Sequence, residues 1–361
     1  MRVESWMVRA AGEPMVLELR EDLPGPGEVL VEVAGCGVCH TDLAFYYDSV
    51  PTRHPLPLTL GHEISGTVVA AGPGAEEWHG AAVVVPAVIP CEQCAACTAG
   101  RGQICRDQIF PGNDVHGGFG SHVRVPAHGL CAVPDLDDAS VNGAGLALED
   151  LSVIADAVST PYQAVLKAGL RAGDLAVFVG VGGVGGFGVQ IASARGAHVV
   201  GIDVDPERLE TIERYGAELT LRPGEYERKD LKRAVRTFAR ERNVPSWRWR
   251  IFETSGTTNG QEVAFGLLGH GSYLSVVGYA PERASLRLSN LMALDATAEG
   301  NWGCLPRLYP EVVELVLSGS VALLPFVEHR PLASINETFR ALHDGEIRQR
   351  VILVPGNGVI T

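Results

Sequence analysis

Cys91, Cys94, Cys97 and Cys105 follow the spacing C-x2-C-x2-C-x7-C. Four thiolates this close in sequence can close a tetrahedral all-sulfur shell around Zn2+, leaving no position for a substrate, so that the ion staples a loop. The same C-x2-C-x2-C run also occurs around iron–sulfur clusters, which is the competing reading. A second set of donors lies upstream. "GCGVCHTD" carries Cys36 and Cys39, and "LTLGHEISG" carries His62 and Glu63. The C-x2-C spacing is that of thioredoxin-like redox motifs, which want a helix opening between the cysteines beside a βαβ unit. Here the surroundings read as β-rich. Cys39 with His62 and Glu63 instead offers one thiolate, one imidazole and one carboxylate, a mixed donor set that leaves a zinc position open for water or an alcohol. Cys36, Cys131 and Cys304 then read as packed apolar thiols.

A third constellation is "GVGGVG", with Gly180, Gly182 and Gly185 in G-x-G-x-x-G and Gly183 and Val184 inside the same turn. It follows the strand-like "AVFVG" and opens the helical "GGFGVQIASARG". In that context the first glycine allows a tight turn, the second lets backbone approach a pyrophosphate, and the third packs helix on strand. The helix N-terminus adds unpaired N–H groups and a positive dipole end. Asp203 closes the next strand in "VVGIDVD". A carboxylate there accepts from both ribose hydroxyls and repels a 2′-phosphate, which favours NAD over NADP. Asp205 competes for that role. Arg208 either reaches the adenosine side or is a solvated helix residue.

These groups need two kinds of scaffold. "EVLVEVAG", "EISGTVVAAG", "AAVVVPAVI" and "GGFGSHVRVP" read as short strands between Gly and Pro, a barrel-like β unit over residues 1–135. From Pro161 the pattern changes. "TPYQAVLKAGL" is helical, and the glycine turn sits in a βαβ unit with near-continuous apolar strands, as a doubly covered parallel sheet requires. Strands at "WRIFETSG" and "GSYLSVVGYA" flank the helix "NGQEVAFGLLG". The helix "LYPEVVELVLSGSV" and the helix–strand "INETFRALHDGEIRQRVILVP" follow. The 361 residues suit about two domains. A net charge of −14 argues against nucleic acid as the main partner. No apolar run is long enough to span a membrane. The N-terminus lacks a signal-peptide pattern, so a cytoplasmic location is expected.

Taken together, "GVCHTD", "GHEISG", the lobe from Cys91 to Cys105, "VGVGGVGGFGVQIA" and the terminal "INETFRALHDGEIRQRVILVP" resemble the zinc-dependent medium-chain alcohol dehydrogenase family. The resemblance spans nearly the whole chain. It implies a two-domain α/β protein. Residues 1–157 and 302–361 would form a GroES-like β-barrel catalytic domain with the structural zinc lobe at about 91–105. Residues 158–301 would form a Rossmann NAD-binding domain. Two zinc ions per chain and NAD+/NADH are implied. The catalytic zinc would take Cys39, His62 and Asp156, with Glu63 at its edge. A helix-capping carboxylate is the alternative for Asp156. By the same resemblance Thr41 receives the alcohol proton, and Asp42 orients the histidine ligand. His40 and Arg350 face the cofactor phosphates, and Thr160 and Gly278 join the cofactor site. Ala44 stands where many family members carry the histidine that ends the proton relay. A homodimer or homotetramer is expected.

The stretches "GCGVCHTDLAFYYDSVPT", "VPAVIPC" and "PGNDVHGGFGSHV" are most similar to one subgroup, the 6-hydroxycyclohex-1-ene-1-carbonyl-CoA dehydrogenases of anaerobic benzoyl-CoA degradation. That implies a cyclic acyl-CoA substrate, oxidised at a ring alcohol or formed by the reverse reduction. Phe45, Tyr46 and Tyr47 would either wall it or pack in the barrel core, with Asn113 and His116 as weaker pocket candidates. Arg53, His54, Arg101 and Arg106 lie near the two metal motifs and would be the cations for the CoA phosphates, against the stronger competing reading that they are scattered surface charges. The alternatives are a general secondary-alcohol or polyol dehydrogenase, and a zinc-free protein that only binds a dinucleotide.

Overall fold

The computed structural model describes residues 1–356. Residues 357–361 of the expected 302–361 segment lie outside the described residues. The chain divides into two compact units, one of Met1–Ser159, Gly303–Gly319 and the tail from Leu323, the other of Thr160–Trp302 with Ser320–Ala322.

The first unit is built on a seven-stranded sheet. Its path runs Val327–Pro331, Arg350–Val354, Glu28–Gly37, Glu63–Ala71, Ala82–Val85 and Cys131–Ala132, with His122–Pro126 also paired to Glu28–Gly37. The pairs are antiparallel except Val327–Pro331 with Arg350–Val354. The C-terminal strand thus completes a sheet begun near the N-terminus. Irregularities between Leu30/Val31 and Val33/Gly35 break the register of the long strand, the kind of bulge that bends and twists a sheet towards closure. Val29, Val31, Val68, Val83, Val85, Val123, Phe119 and Phe339 fill its apolar core.

In the second unit the strand order is Leu219–Leu221, His198–Ile202, Leu175–Val179, Trp249–Glu253, Tyr273–Val276 and Thr297–Gly300, all parallel. Every residue of Leu175–Val179 is buried, as a strand covered on both faces must be. Strand order reverses on either side of Leu175–Val179, the switch point at which doubly wound sheets bind ligands. Among the described residues no helix is long and apolar enough to cross a membrane.

Two features depart from the expectation. Ser320–Ala322 belongs to the second unit, because the Gln190 amide accepts from Ala322 N at 2.8 Å and donates to Ala322 O at 3.2 Å. A simple division at 157 and 302 misses that return. A helix, His40–Tyr47, also follows directly on Cys39. Asp42 Oδ2 accepts from Cys39 N at 2.9 Å and caps its first turn. It opens after the second cysteine of C-x2-C and not between the two, so the redox motif lacks its helix.

Candidate active site and metal centres

Cys39 ends the loop after the long strand, His62 immediately precedes the strand that Glu63 opens, and Asp156 follows the short helical run Glu149–Ala155. Ligand atoms of all four lie within 4.8 Å of one another. Asp156 Oδ2 is 3.7 Å from Cys39 Sγ and 3.7 Å from His62 Nε2. Asp156 therefore joins this cluster. Asp42, fully buried, accepts from Gly61 N at 3.1 Å and sits 3.2 Å from His62 Nδ1. A carboxylate on Nδ1 fixes the imidazole tautomer and leaves Nε2 for a metal. Burial opposes charge on His62, but Asp42, Asp156 and Cys39 outweigh it and raise its pKa well above the ordinary value. A site that favours positive charge on its own histidine suits a cation.

Glu63 is gripped from behind. Arg350 Nε donates to Oε2 at 3.0 Å, Arg350 Nη2 donates to Oε1, and Ala157 N donates to Oε1 at 3.0 Å. Burial pushes the Glu63 carboxyl up, with Arg350 acting against it. A Cβ on Gly37 would stand 2.0 Å from Glu63 Oε2, so only glycine fits there. Thr41 lies in the first turn of the helix with Oγ1 3.8 Å from Cys39 Sγ, and His40 beside it is exposed. Cys36 is fully buried in the strand, where burial pushes its thiol pKa up, and it takes no part in the cluster.

The four cysteines of the lobe converge as a second centre. Sγ separations are 3.5 Å for Cys91–Cys105 and Cys94–Cys97, 3.7 Å for Cys94–Cys105 and 4.0 Å for Cys91–Cys97. Tetrahedral Zn–S bonds of about 2.3 Å place sulfurs about 3.8 Å apart. A multi-iron cluster would have to stand between these thiolates and spread them further. The Cys97 N–H and the neighbouring thiols draw Cys94 down to about 7, while burial and those thiols push Cys97 up to about 12 and raise Cys105.

At the glycine turn, Gly182 caps the helix Gly183–Ala194, which carries Val184 in its first turn. Gly185 packs so closely that a Cβ would stand 1.8 Å from Gly180 O. Asp203 accepts from Val181 N at 2.8 Å, which holds it against this turn. Asp205 instead caps the helix Pro206–Glu213 by accepting from Glu207 N at 2.9 Å. The two acids thus make different contacts. Arg208 folds over the turn, with Nη1 3.3 Å from the Cβ position of Gly182. Its Nε is buried with no hydrogen-bond partner among the described residues. Thr160 accepts through its carbonyl from Asn301 Nδ2 at 3.1 Å, and Gly278 N donates to the Glu253 carbonyl at 3.0 Å.

Two family models match the chain, the alcohol dehydrogenase GroES-like domain over residues 25–135 and the zinc-binding dehydrogenase over residues 183–318. The chain belongs to the zinc-dependent medium-chain alcohol dehydrogenase family. It is 29% identical to an alcohol dehydrogenase of Geobacillus stearothermophilus over 91% of this chain and 92% of that protein. It is 28% identical to the 2-dehydro-3-deoxy-L-galactonate 5-dehydrogenase of Pseudoalteromonas atlantica over 95% of each. The solved alcohol dehydrogenase of Aeropyrum pernix shares 29% identity, with a TM-score of 0.83 over 98% of this chain and 100% of that one. This dehydrogenase is thus an oxidoreductase of small-molecule CH–OH groups, and zinc and a nicotinamide dinucleotide suit its two kinds of site.

The structure sorts the remaining candidates of this dehydrogenase. Tyr46 is core: its hydroxyl donates to Glu13 O at 2.7 Å, and its ring meets Phe339 edge-on at 5.3 Å. Tyr47 stacks on His343 at 4.1 Å. Phe45 alone of the three lines a groove of about 270 Å3, with Val8, Val50, Pro55, Leu56 and Leu60. Phe110, which the sequence did not single out, meets the His62 ring edge-on at 4.8 Å and lies 6.5 Å from Phe45. Asn113 Oδ1 accepts from Arg53 N, and His116 Nδ1 accepts from Thr59 N at 3.2 Å, both holding loops. Arg53 pairs with Asp114 at 3.2 Å, His54 also lines the groove, and Arg101 and Arg106 are exposed. Tyr309 was equally unforeseen. Fully buried, it donates its hydroxyl to the carbonyl of Ala155, next to Asp156.

Proposed function

We propose that the chain oxidises a secondary alcohol to a ketone with NAD+, reversibly, at the cluster of Cys39, His62 and Asp156. The observation that carries this is the meeting of three unlike donors within 4.8 Å, one of them a histidine whose far nitrogen is held by Asp42. These three would hold zinc, with Glu63 at its edge, and Cys91, Cys94, Cys97 and Cys105 would hold a second, structural zinc. When bound, the first zinc polarises the substrate hydroxyl and lowers its pKa, and NAD+ accepts the hydride. Thr41 Oγ1 takes the hydroxyl proton. With Ala44 in the next turn of the helix, the proton's onward route would end in water, a ribose hydroxyl or another group. His40 and Arg350 serve the cofactor phosphates. Thr160, Gly180, Gly182, Gly183, Val184, Gly185, Arg208 and Gly278 bind the dinucleotide, and Asp203 selects NAD.

For the substrate, the stretch around Phe45 supports a flat ring, and the sequence similarity to 6-hydroxycyclohex-1-ene-1-carbonyl-CoA dehydrogenases supports its acyl-CoA form. A second reading, a general secondary-alcohol dehydrogenase, is favoured by one observation: the groove beside Phe45 is mainly apolar, and the adjacent Arg53 is already paired with Asp114. Initial rates with NAD+ on the cyclic hydroxyacyl-CoA, on cyclohexanol and on polyols decide. A thioester rate no higher than the simple alcohols removes the acyl-CoA assignment, and equal use of NADP+ removes the role given to Asp203. All four residues of the edge strand Thr297–Gly300 are exposed, and Leu288 and Met292 are exposed nearby. An open edge of this kind supports pairing with a second copy, hence a dimer or tetramer. The eight cysteines are all free, which suits a reducing cytoplasm.

A further inference from the structure

Glu253 ends the strand Trp249–Glu253, between Leu175–Val179 and Tyr273–Val276, at the carboxyl edge of the parallel sheet. It is fully buried, and no step of the alcohol chemistry uses it. A carboxyl group in such a place is costly unless its oxygens are matched. Oε1 is matched three times, by Ser255 N at 2.9 Å, Ser255 Oγ at 2.6 Å and Gly256 N at 3.2 Å. The Glu253 carbonyl accepts from Val277 N at 2.9 Å and Gly278 N at 3.0 Å. One residue thereby fastens the turn after its own strand to the turn after its neighbour.

The third turn is the glycine fingerprint itself. Thr254 Oγ1 donates to Gly180 O at 2.7 Å. A Cβ on Gly180 would stand 2.5 Å from Ser255 Cα, and one on Gly278 would stand 2.4 Å from Gly256 N and 2.8 Å from Glu253 Oε2. Three turns meet at the Ser255–Gly256 turn that the carboxyl group braces, with no room for side chains, at the edge where a doubly wound sheet receives its dinucleotide. We propose that Glu253 is a positioning residue for the cofactor: its carboxyl group braces the Ser255–Gly256 turn, against which the turns at Gly180 and Gly278 pack. The proposal rests on the dinucleotide assignment above. Oε2 makes no well-formed hydrogen bond among the described residues. Burial raises the carboxyl pKa, with the hydrogen bonds that Oε1 accepts acting against it. Glutamine preserves that acceptor. Alanine leaves two N–H groups and a hydroxyl facing a void.

The test titrates NADH fluorescence with the wild-type enzyme, Glu253→Gln and Glu253→Ala, alongside zinc content, melting temperature and hydrogen exchange over residues 254–257 and 277–279. Glu253→Ala should weaken NADH roughly tenfold, with cofactor KM rising in step, and Glu253→Gln should stay within about threefold of wild type. Zinc content should not change, and exchange at Ser255 and Gly256 should quicken. A folded Glu253→Ala enzyme with wild-type NADH affinity overturns the proposal. If that variant does not fold, Glu253→Asp, which withdraws the carboxyl by one methylene, takes its place with the same expected loss and the same overturning result. A wild-type enzyme that binds no NADH would overturn the dinucleotide assignment instead, which keeps the two failures apart.

Discussion

The two metal-ligand clusters of the first unit differ in almost every physical respect. The lobe draws four identical donors from within residues 91–105, three of them half-buried, and closes them into an all-sulfur shell. The other cluster takes a thiol, an imidazole and carboxylates from residues 39, 62, 63 and 156, and wraps them in buried supporting groups. Asp42 stands behind His62, Arg350 behind Glu63, and the Tyr309 bond to Ala155 beside Asp156. A closed local shell can only hold a loop. A shell of mixed donors from distant segments, each braced, can leave a position open and keep its geometry while chemistry proceeds.

Breaking the lobe should give the largest effect. Structural zinc sites carry binding energies on the order of 10 kcal/mol in isolated peptides, and that energy is folding energy. Cys94→Ala should therefore lose one metal and markedly lower the melting temperature in calorimetry. Full stability with one metal lost would mean that the lobe needs no staple. Asp42→Asn tests the bracing of the mixed site. Metal affinity there should fall roughly 10–100-fold, read by competition with a chelator, while the lobe metal stays. An unchanged chelator profile would show that the Asp42–His62 contact orients nothing.

Acid sensitivity sharpens the contrast, because part of it belongs to neither cluster. Burial, with Arg20, His54 and Arg124 adding to it, lowers His116 to about 4, and its Nδ1 must stay unprotonated to accept from Thr59 N. Between about 6.5 and 4 the unfolded chain takes a proton that the folded chain refuses. Stability is therefore full above that window and falls as pH drops through it, by about 2 kcal/mol after allowance for screening of a partly exposed ring. Denaturant melts of His116→Asn should be flatter across this range, and an equally steep acid limb would assign the loss elsewhere.

The local cluster was legible in the sequence because its information is local: C-x2-C-x2-C-x7-C already contains the shell. The glycine turn was legible for the same reason, whereas only the fold shows that Asp205 caps the next helix and Asp203 bonds the turn. Cys39, His62 and Glu63 could be paired by donor type alone. Asp156 was reachable only through resemblance, since nothing in its own segment announces a ligand, and the resemblance gave Arg350 as a cofactor contact without foreseeing its pair with Glu63. Tyr309 and Phe110 were missed because ring contacts and a hydroxyl aimed at a distant carbonyl leave no local pattern. The helix at His40 was missed because cysteine is an unusual residue to start one, although Asp42 three positions on was its signal. Tyr46 and Tyr47 looked like pocket walls because sequence cannot show which face of a short helix meets Phe339 and His343.

The division of labour between the two clusters comes down to metal analysis and alcohol oxidation on wild type and Cys39→Ala. The wild-type enzyme should carry about two zinc per chain. Cys39→Ala should keep about one, melt within a few degrees of wild type, and lose roughly 10³-fold or more in kcat/KM, since the site's charge stabilisation is worth several kcal/mol. A Cys39→Ala enzyme that holds both metals, or that oxidises alcohols at the wild-type rate with one, would contradict it.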